Sequence, residues 1–588
     1  MPTPLHDQHP RPLLARADWQ DLGGDWRFAY DDGDVGLAEH WQRRDDVFDQ
    51  TITVPFPPES PASGIGDTGY HPVLWYRRTV EVAPPEAGRR VMLRFGAVDY
   101  RADVWVNGEH VAFHEGGQTP FGADITDALS ADGRQVIVVR AFDDPHDLEQ
   151  PRGKQDWQER PHVIWYERTT GIWQPVWLEE VPADHVEHLR WTPGGTPGEV
   201  DLDLRLARRT TGPVQVTVRL ELDGRVLAEE TSTVTGYRLR TRLVVQDGDH
   251  DAEPHHLQWT PERPTLCQAT ITVHGESSED VVHSYVGFRT VGTDARSFLL
   301  NGLPYKLRMA LSQGYWPQSH LAAPDAAALR TEVELIKQLG FNGIRVHQKA
   351  EDPRFLYWCD RLGVLVWADA AASYSFSPRS LARITREWIE IVERDAGHPC
   401  VVAWVAFNES WGVPQVAHSA AQRDAVRGLY HLLKALDPSR PVIGNDGWEY
   451  VSGDLLGVHD YTHDPEAIRD RYAARLEDTV ATGRPGGRAL TLTGDAPAVP
   501  VVLSEFGGFT HAPDDPTTWT GYGVADTPEQ LLERLGTLLD AVHEAGDLAG
   551  FCFTQLTDTG QERNGLLTED RKPKADPESI ARIIRGRR

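Results

Sequence analysis

The chain has 588 residues, a formal net charge of −29 and a hydrophobic fraction of 40%; this is too long for one core and points to about three or four domains. The negative charge excludes nucleic acid or an anionic membrane as the main partner, and no window reaches the apolar length of a membrane span. The opening stretch MPTPLHDQHPRPLLARADW has no apolar core of signal-peptide length, and Cys267, Cys359, Cys400 and Cys552 form neither a metal-type pairing nor a disulfide framework, so a cytoplasmic protein is the simplest expectation.

Residues 1–182 read as an all-β jelly-roll sandwich. Strand-like runs recur at Leu74–Val80, Val91–Phe95, Ala102–Val106 and Val136–Arg140, with Gly and Pro clusters between many of them. Asn107-Gly108 reads as a two-residue hairpin turn. Residues 183–291 continue the β pattern, with strict alternation in Val214–Leu220 and a second hairpin signal at Asp223-Gly224; size and spacing predict an immunoglobulin-like sandwich. From residue 292 the pattern changes. Leu329, Val333, Ile336 and Leu339 recur at helical spacing, and Gly340 stops that helix. Strands are predicted at 305–311, 343–347, 364–369, 401–408, 441–445, 455–459, 501–505 and 549–555, with helices between most of them, among them 379–395, 421–436 and 528–545. This alternation, running over 292–588, predicts a (β/α)₈ TIM barrel whose site lies at the C-terminal strand ends. Residues 481–500 read as a loop insertion.

Two of the apolar runs end in a glutamate: Val401 to Asn408-Glu409, and Val501 to Ser504-Glu505. A run of β-branched and apolar residues reads as a strand buried on both faces. An unpaired charge is too costly inside it, so each carboxylate is expected where the strand emerges into a cleft. A lone strand-end glutamate is more often a salt-bridge partner. Two of them, at the fourth and seventh strands and one preceded by asparagine, read instead as a catalytic acid and nucleophile.

Asn408-Glu409-Ser410, Ser504-Glu505-Phe506-Gly507, Thr170-Gly171-Ile172-Trp173-Gln174-Pro175-Val176 and Phe298-Leu299-Leu300-Asn301-Gly302 together resemble glycoside hydrolase family 2. The resemblance covers nearly the whole chain and implies the domain order jelly roll, immunoglobulin-like sandwich, barrel. It implies a retaining exo-glycosidase with Glu409 as acid/base, Glu505 as nucleophile, and Asn408 on the sugar's 2-hydroxyl. The acid should have a raised pKa, through its surroundings and the Glu505 charge. Other strand ends supply candidates for substrate binding. Arg345 is placed to pair with Glu505 and keep it ionised, and His347 follows it. Asp369 ends the third strand, Asn445 and Asp446 the fifth, His459 and Tyr461 the sixth, and Gln555 lies at the eighth. A tyrosine at 461 is placed to donate to the nucleophile. Trp316, Trp411 and Trp448 are candidates for stacking on sugar faces. The bland alternative for each is rim hydrogen bonding or packing. His459 and His463 lack a third ligand of defined spacing, and the mechanism needs neither metal nor cofactor.

The family pattern is broken in three places, one of them the first barrel strand, where Leu311-Ser312-Gln313-Gly314-Tyr315-Trp316-Pro317 stands in place of the Asn-Arg-His type segment of large galactosidases. Glucuronidases of the family carry Asn-x-Lys before a Gly-Ile-Phe-Thr-type segment; here Glu562-Arg563-Asn564 precedes Gly565-Leu566-Leu567-Thr568. The lysine is missing and an acid is present, which disfavours glucuronidase activity. Galactosidases and glucuronidases carry an aspartate six residues before the glycine of the Gly-Ile motif, and counting back from Gly171 gives Trp165. The glycone pocket is therefore expected to be atypical, with Trp165 among its lining residues. A galactosidase-like enzyme, acting on a pyranoside or furanoside, is the leading reading. An arabinosidase, another glycone specificity, or a non-catalytic carbohydrate-binding protein on the same scaffold are the alternatives. The partner is a small carbohydrate, and a homo-oligomer is compatible with all of this.

Overall fold

The computed structural model describes residues 5–194, 196, 198–245, 255–275, 279–511 and 523–586. The three largest hydrophobic cores among the described residues each belong to one part of the architecture. The first lies inside the N-terminal β-sandwich, between a six-stranded and a four-stranded antiparallel sheet. The second fills a smaller sandwich of three-stranded and four-stranded sheets, from Val186–Pro193 to Glu279–Val286. Alternation produces these faces: in Val214–Leu222 the valines and Leu220 point in while Gln215, Thr217 and Arg219 point out.

The third and largest core belongs to an eight-stranded parallel sheet. Its strands are β1 (Leu307–Ser312), β2 (Gly343–Val346), β3 (Leu365–Asp369), β4 (Val401–Val405), β5 (Val442–Ile443), β6 (Leu456–Asp460), β7 (Val501–Gly507) and β8 (Leu548–Thr554). They hydrogen-bond in the order β5-β4-β3-β2-β1-β8-β7-β6, so the barrel is closed except between β5 and β6. β3, β4 and β7 are buried along their whole length, as a sheet covered by helices outside and packed side chains inside requires. The covering helices begin with side-chain caps. Ser377 and Ser380 form a capping box at the start of Pro378–Asp395, and Thr527 caps Pro528–Glu544; such a cap stabilises a helix by about 1 kcal/mol. Gly340, at φ +91°, follows the helix Ala326–Gln338, a left-handed position that glycine tolerates.

One segment ties the layers together. Residues 143–170 leave the first sandwich after the strand Arg134–Phe142 and run without helix or strand to Gly171–Ile172. Arg152 and Gly153 donate their backbone N–H groups to the carbonyl of Ala372, just past β3. Gly153 has φ +59°, and a Cβ there would stand 2.3 Å from the Gln348 carbonyl oxygen. Only glycine permits this approach, and it inserts the sandwich loop into the barrel mouth.

Candidate active site

The mouth of the barrel gathers the polar ends of its strands around Arg345. This guanidinium is fully buried on β2 and bonds to Asp369 (Nη2–Oδ2 2.9 Å), Asp446 (Nη1–Oδ2 2.6 Å), Asn408 (Nη2–Oδ1 2.7 Å) and Glu505 (Nη1–Oε1 3.1 Å). Arg345 lies near the end of its strand, as expected, whereas Glu505, expected to end the seventh strand, lies two residues inside it. The matched charges explain it: Glu505 is paired with Arg345, accepts the Tyr461 hydroxyl at 2.5 Å and lies 3.3 Å from His459 Nε2, so its burial is not that of an isolated ion. Glu409 stands four residues after β4, at φ +50°, with Ser410 at +58°. This strained turn is braced by Glu409 N–H to the Asp446 carbonyl, Ser410 N–H to Asn445 Oδ1 (3.0 Å), and Ser410 Oγ–H to Glu449 Oε2 (2.6 Å).

His459 links the two glutamates. Its Nδ1 is 2.8 Å from Glu409 Oε1, and its Nε2 is 3.0 Å from Asp446 Oδ2. Burial opposes charge on this ring, but Glu505, Asp446 and Glu409 outweigh burial and push it up to about 10. His459 is therefore an imidazolium at neutral pH. The consequence corrects the expected raised Glu409. Burial pushes that carboxyl up, yet the hydrogen bond and charge of His459, with Lys154 and Arg345 behind it, hold it below the ordinary carboxylate range. Glu505 goes the other way: burial raises it, the charge of Glu409 adds to this, and His459 and Arg345 offset it only in part. One side-chain N or O atom from each of Glu409, His459 and Glu505 lies within 4.8 Å of the other two, so a carboxylate oxygen of one glutamate is within 4.8 Å of one from the other.

Several candidates from the sequence turn out to support the site rather than face a sugar. Asp369, pushed up to about 6 by burial against the pull of Arg345, and Asp446 are spent on Arg345 and His459. Asn445 holds the Ser410 turn and the Trp448 carbonyl. Gln555 passes a hydrogen-bond chain from Gln313 to Asn564 (2.9 and 2.7 Å). Trp448 carries the Arg488 guanidinium at 4.6 Å, and Trp316, part of the barrel core, carries Arg571 at 3.4 Å. Trp165 and Trp411 do meet, at 5.7 Å between rings, and with Trp157 and Tyr374 they form an aromatic wall. Trp165 Nε1–H donates to the Tyr374 hydroxyl at 2.6 Å.

Two of the candidates keep a polar atom spare. Asn408 gives its Oδ1 to Arg345, and its buried Nδ2 has no partner. His347 Nδ1 is 2.9 Å from Gln313 Oε1, and its buried Nε2 is unpartnered, 3.7 Å from Glu505 Oε1; burial, with Arg345 adding, keeps this ring neutral.

Sequence reasoning missed Lys154, Tyr166 and Tyr374, and did not rank Glu562 and Asn564 as site residues. Lys154 is 7% exposed and comes from the inserted sandwich loop. Tyr166 donates its hydroxyl to Glu562 Oε2, and the Lys154 ammonium stands 5.5 Å from the Tyr166 ring. One signal was available. Residues 143–170 form a connection well beyond the roughly 12–15 residues past which an unstructured loop is usually functional.

A carboxylate pair with this spacing, at the C-terminal mouth of a (β/α)₈ barrel, defines a glycosidase site. Residues 19–149 match the family model of the glycosyl hydrolases family 2 sugar binding domain, and residues 322–508 that of the family's TIM barrel domain. The chain belongs to glycoside hydrolase family 2, and the protein is a glycoside hydrolase. It is similar to the β-glucuronidase of Canis lupus familiaris, 26% identical over 96% of this chain and 90% of that one. It is also similar to a β-galactosidase of Thermoanaerobacter pseudethanolicus, 28% identical over 64% of this chain and 49% of that one. The solved β-glucuronidase of Bifidobacterium dentium shares the fold, with a TM-score of 0.78, 20% identity, and coverage of 97% of this chain and 98% of that one.

Proposed function

We propose that the protein is a retaining exo-β-glycosidase acting on a neutral, galactosidase-type glycone in pyranose or furanose form. The separation of the two glutamates supports the retaining mechanism. Retaining enzymes hold their carboxyl groups ~5–5.5 Å apart, whereas inverting enzymes leave ~6.5–9.5 Å for a water, and here the facing oxygens lie within 4.8 Å. Glu505 attacks the anomeric carbon, with Arg345 and the Tyr461 hydroxyl keeping the attacking oxygens ionised and aimed. Glu409 protonates the leaving oxygen. A bound sugar excludes water from Glu409 and pushes its carboxyl up, and the His459 Nδ1 proton, 2.8 Å away, can pass to it as the aglycone departs. In the second half Glu409 takes a proton from water and returns it along the same bond.

The neutral glycone rests on charge. Around the gap stand Glu409, Glu505, Asp369, Asp446 and Glu562, against the cations Arg345, His459 and Lys154. Arg345 and His459 are already paired with carboxylates. A uronate would bring a further negative charge into this surplus. A second reading, a uronide hydrolase, has two observations in its favour: similarity to relatives such as the canine β-glucuronidase, and the lysine at the mouth.

A panel of nitrophenyl glycosides covering galactopyranoside, galactofuranoside, arabinoside and glucuronide tests this, together with mass-spectrometric detection of a 2-fluoroglycosyl adduct on Glu505. Turnover of a neutral glycoside and labelling at Glu505 are expected. No turnover on any member and no label would overturn the proposal, and leave sugar binding without catalysis as the scaffold's role.

Asn408 gives a second test. Its spare Nδ2 is aimed at the 2-hydroxyl, a hydrogen bond that strengthens in the transition state and is worth several kcal/mol there. Asn408→Ala on the normal substrate, and a 2-deoxy substrate on the native enzyme, should each lower kcat/KM by about 10²–10³-fold. Combining them should cost little more than either alone; full additivity would assign the hydroxyl to another residue.

The His459 charge also predicts a pH dependence of stability. The ring's pKa rises from 6.5 to about 10 on folding, so its ionic contribution is complete below about pH 6.5 and fades as pH climbs through 10. The melting temperature of His459→Gln should lie furthest below that of the native protein near pH 6, and the gap should close above pH 10. A gap that widens with pH contradicts an imidazolium at 459.

A further inference from the structure

We infer that Lys154, delivered to the barrel mouth by the inserted sandwich loop, is a specificity-determining residue that, together with Glu562, grips a hydroxyl group of the neutral glycone. The inference rests on the retaining, neutral-glycone reading above and names the protein groups that would enforce it.

The placement of Lys154 is built rather than incidental. The Gly153 carbonyl accepts the Tyr374 hydroxyl at 2.5 Å, and the Lys154 carbonyl accepts the Tyr166 N–H at 2.9 Å. With the Arg152 and Gly153 N–H groups on Ala372, the backbone on both sides of the lysine is fixed to the barrel or to the neighbouring strand of loop. The ammonium is what remains unspent. Among the described residues Lys154 Nζ makes no hydrogen bond and no ion pair within 4 Å, although the residue is more than nine-tenths buried. Other buried cations of the barrel mouth are engaged: Lys349 Nζ bonds the Gly314 and Leu321 carbonyls and Glu351, and Arg345 has its four partners. An ammonium carries three donors and is costly to desolvate, so one at the barrel mouth that has only the Tyr166 ring for company is well placed to meet a ligand acceptor.

The Lys154 ammonium lies 5.5 Å from the Tyr166 ring, whose hydroxyl reaches Glu562. Burial depresses its pKa, and the charges of Glu562, Glu409 and Glu505 pull it back up. Glu562 has one oxygen on the Tyr166 hydroxyl, and the Asn564 amide beside it helps hold the carboxyl down against burial. Lys154 thus offers donors, and Glu562 an acceptor. A sugar hydroxyl both donates and accepts, so it satisfies an ammonium and a carboxylate at once. A uronate carboxylate only accepts, and would face Glu562 with like charge. The same lysine that invites a uronide reading is, with Glu562 next to it, a hydroxyl reader.

The test uses the best neutral glycoside from the nitrophenyl panel and its monodeoxy analogues, assayed with the native enzyme, Lys154→Met and Glu562→Gln. Lys154→Met removes the charge and keeps the bulk. If the uncompensated Glu562 prevents folding, the double variant Lys154→Met/Glu562→Gln replaces it. The native enzyme should lose 10²-fold or more in kcat/KM when one particular hydroxyl other than the 2-hydroxyl is deleted. For Lys154→Met, or for the double variant, that same deletion should cost less than about threefold, while deletions elsewhere keep their native cost. Equal losses in native and variant enzymes at every position would overturn the inference and leave the neutral-glycone reading intact. A native enzyme that prefers the glucuronide, with that preference lost in Lys154→Met, would overturn both and make Lys154 a carboxylate receptor. A native enzyme inert on the whole panel and unlabelled at Glu505 removes the reading itself, and the inference with it.

Discussion

Glu505→Gln is expected to lower kcat by about 10⁴–10⁶-fold while leaving the fold intact. The amide is nearly isosteric, and its oxygen still accepts the Tyr461 hydroxyl at the position of Oε2. Arg345, which loses one ionic partner, keeps Asp369, Asp446 and Asn408. No uncompensated buried cation is created, so the melting temperature should move by only a few degrees. Chemistry, by contrast, has no substitute for the nucleophile. His347 Nε2 is 3.7 Å from Oε1 but neutral and turned to Gln313 through its other nitrogen, and the remaining carboxylates are spent on Arg345 and His459. The checks are steady-state kinetics on an activated aryl glycoside, loss of the fluorosugar adduct, and thermal denaturation. Near-native kcat in the purified variant would falsify the assignment of Glu505.

The legible part of this molecule was the part encoded by short-range pattern. The runs before Glu409 and Glu505 announce buried strands, and a carboxylate following such a run has no packing reason to be there. β-alternation marked the two sandwiches and strand–helix alternation the barrel, because both follow from which faces are covered. What could not be read is set by contacts between distant segments. The lowered Glu409 depends on His459 standing 2.8 Å away, fifty residues on in the chain. Trp448 and Trp316, candidates for sugar stacking, each have an arginine over the ring, a contact that nothing local in the sequence announces. Lys154 lies in a stretch with no period at all, and only the length of that stretch signalled a role. Trp165, noticed as a departure from the family, was informative in a different way than expected: it is half-buried in a wall with Trp157, Tyr374 and Trp411, and its indole N–H donates to a neighbour in that wall, so the expected contact to the sugar through a carboxylate at this position is replaced by an apolar surface.

Glu409→Ala should separate the two halves of the reaction. Substrates with poor leaving groups need a proton to depart and should slow by about 10²–10⁴-fold. An activated aryl glycoside needs none, so its glycosylation of Glu505 should stay close to the native rate. Hydrolysis of the resulting intermediate then stalls, because no base activates water, and a burst of aryl alcohol followed by slow turnover is expected. The geometry sharpens this. Truncation leaves His459 Nδ1–H without its partner, but the ring remains bonded to Asp446 and close to Glu505. Glu505 is esterified in that intermediate, but Asp446 still pairs with Nε2 and favours the imidazolium, a donor and not a base, so His459 does not take over the second half-reaction. Azide fills the space of the missing carboxylate, needs no base, and is attracted by the His459 charge. It should raise turnover of the activated substrate by about 10–10³-fold, giving a β-glycosyl azide of retained configuration. In Glu505→Ala, azide should instead occupy the nucleophile's place and give the azide of inverted configuration. Product stereochemistry by NMR decides between the two roles: inverted azide from Glu409→Ala and retained azide from Glu505→Ala would mean that the acid/base and the nucleophile have been assigned the wrong way round.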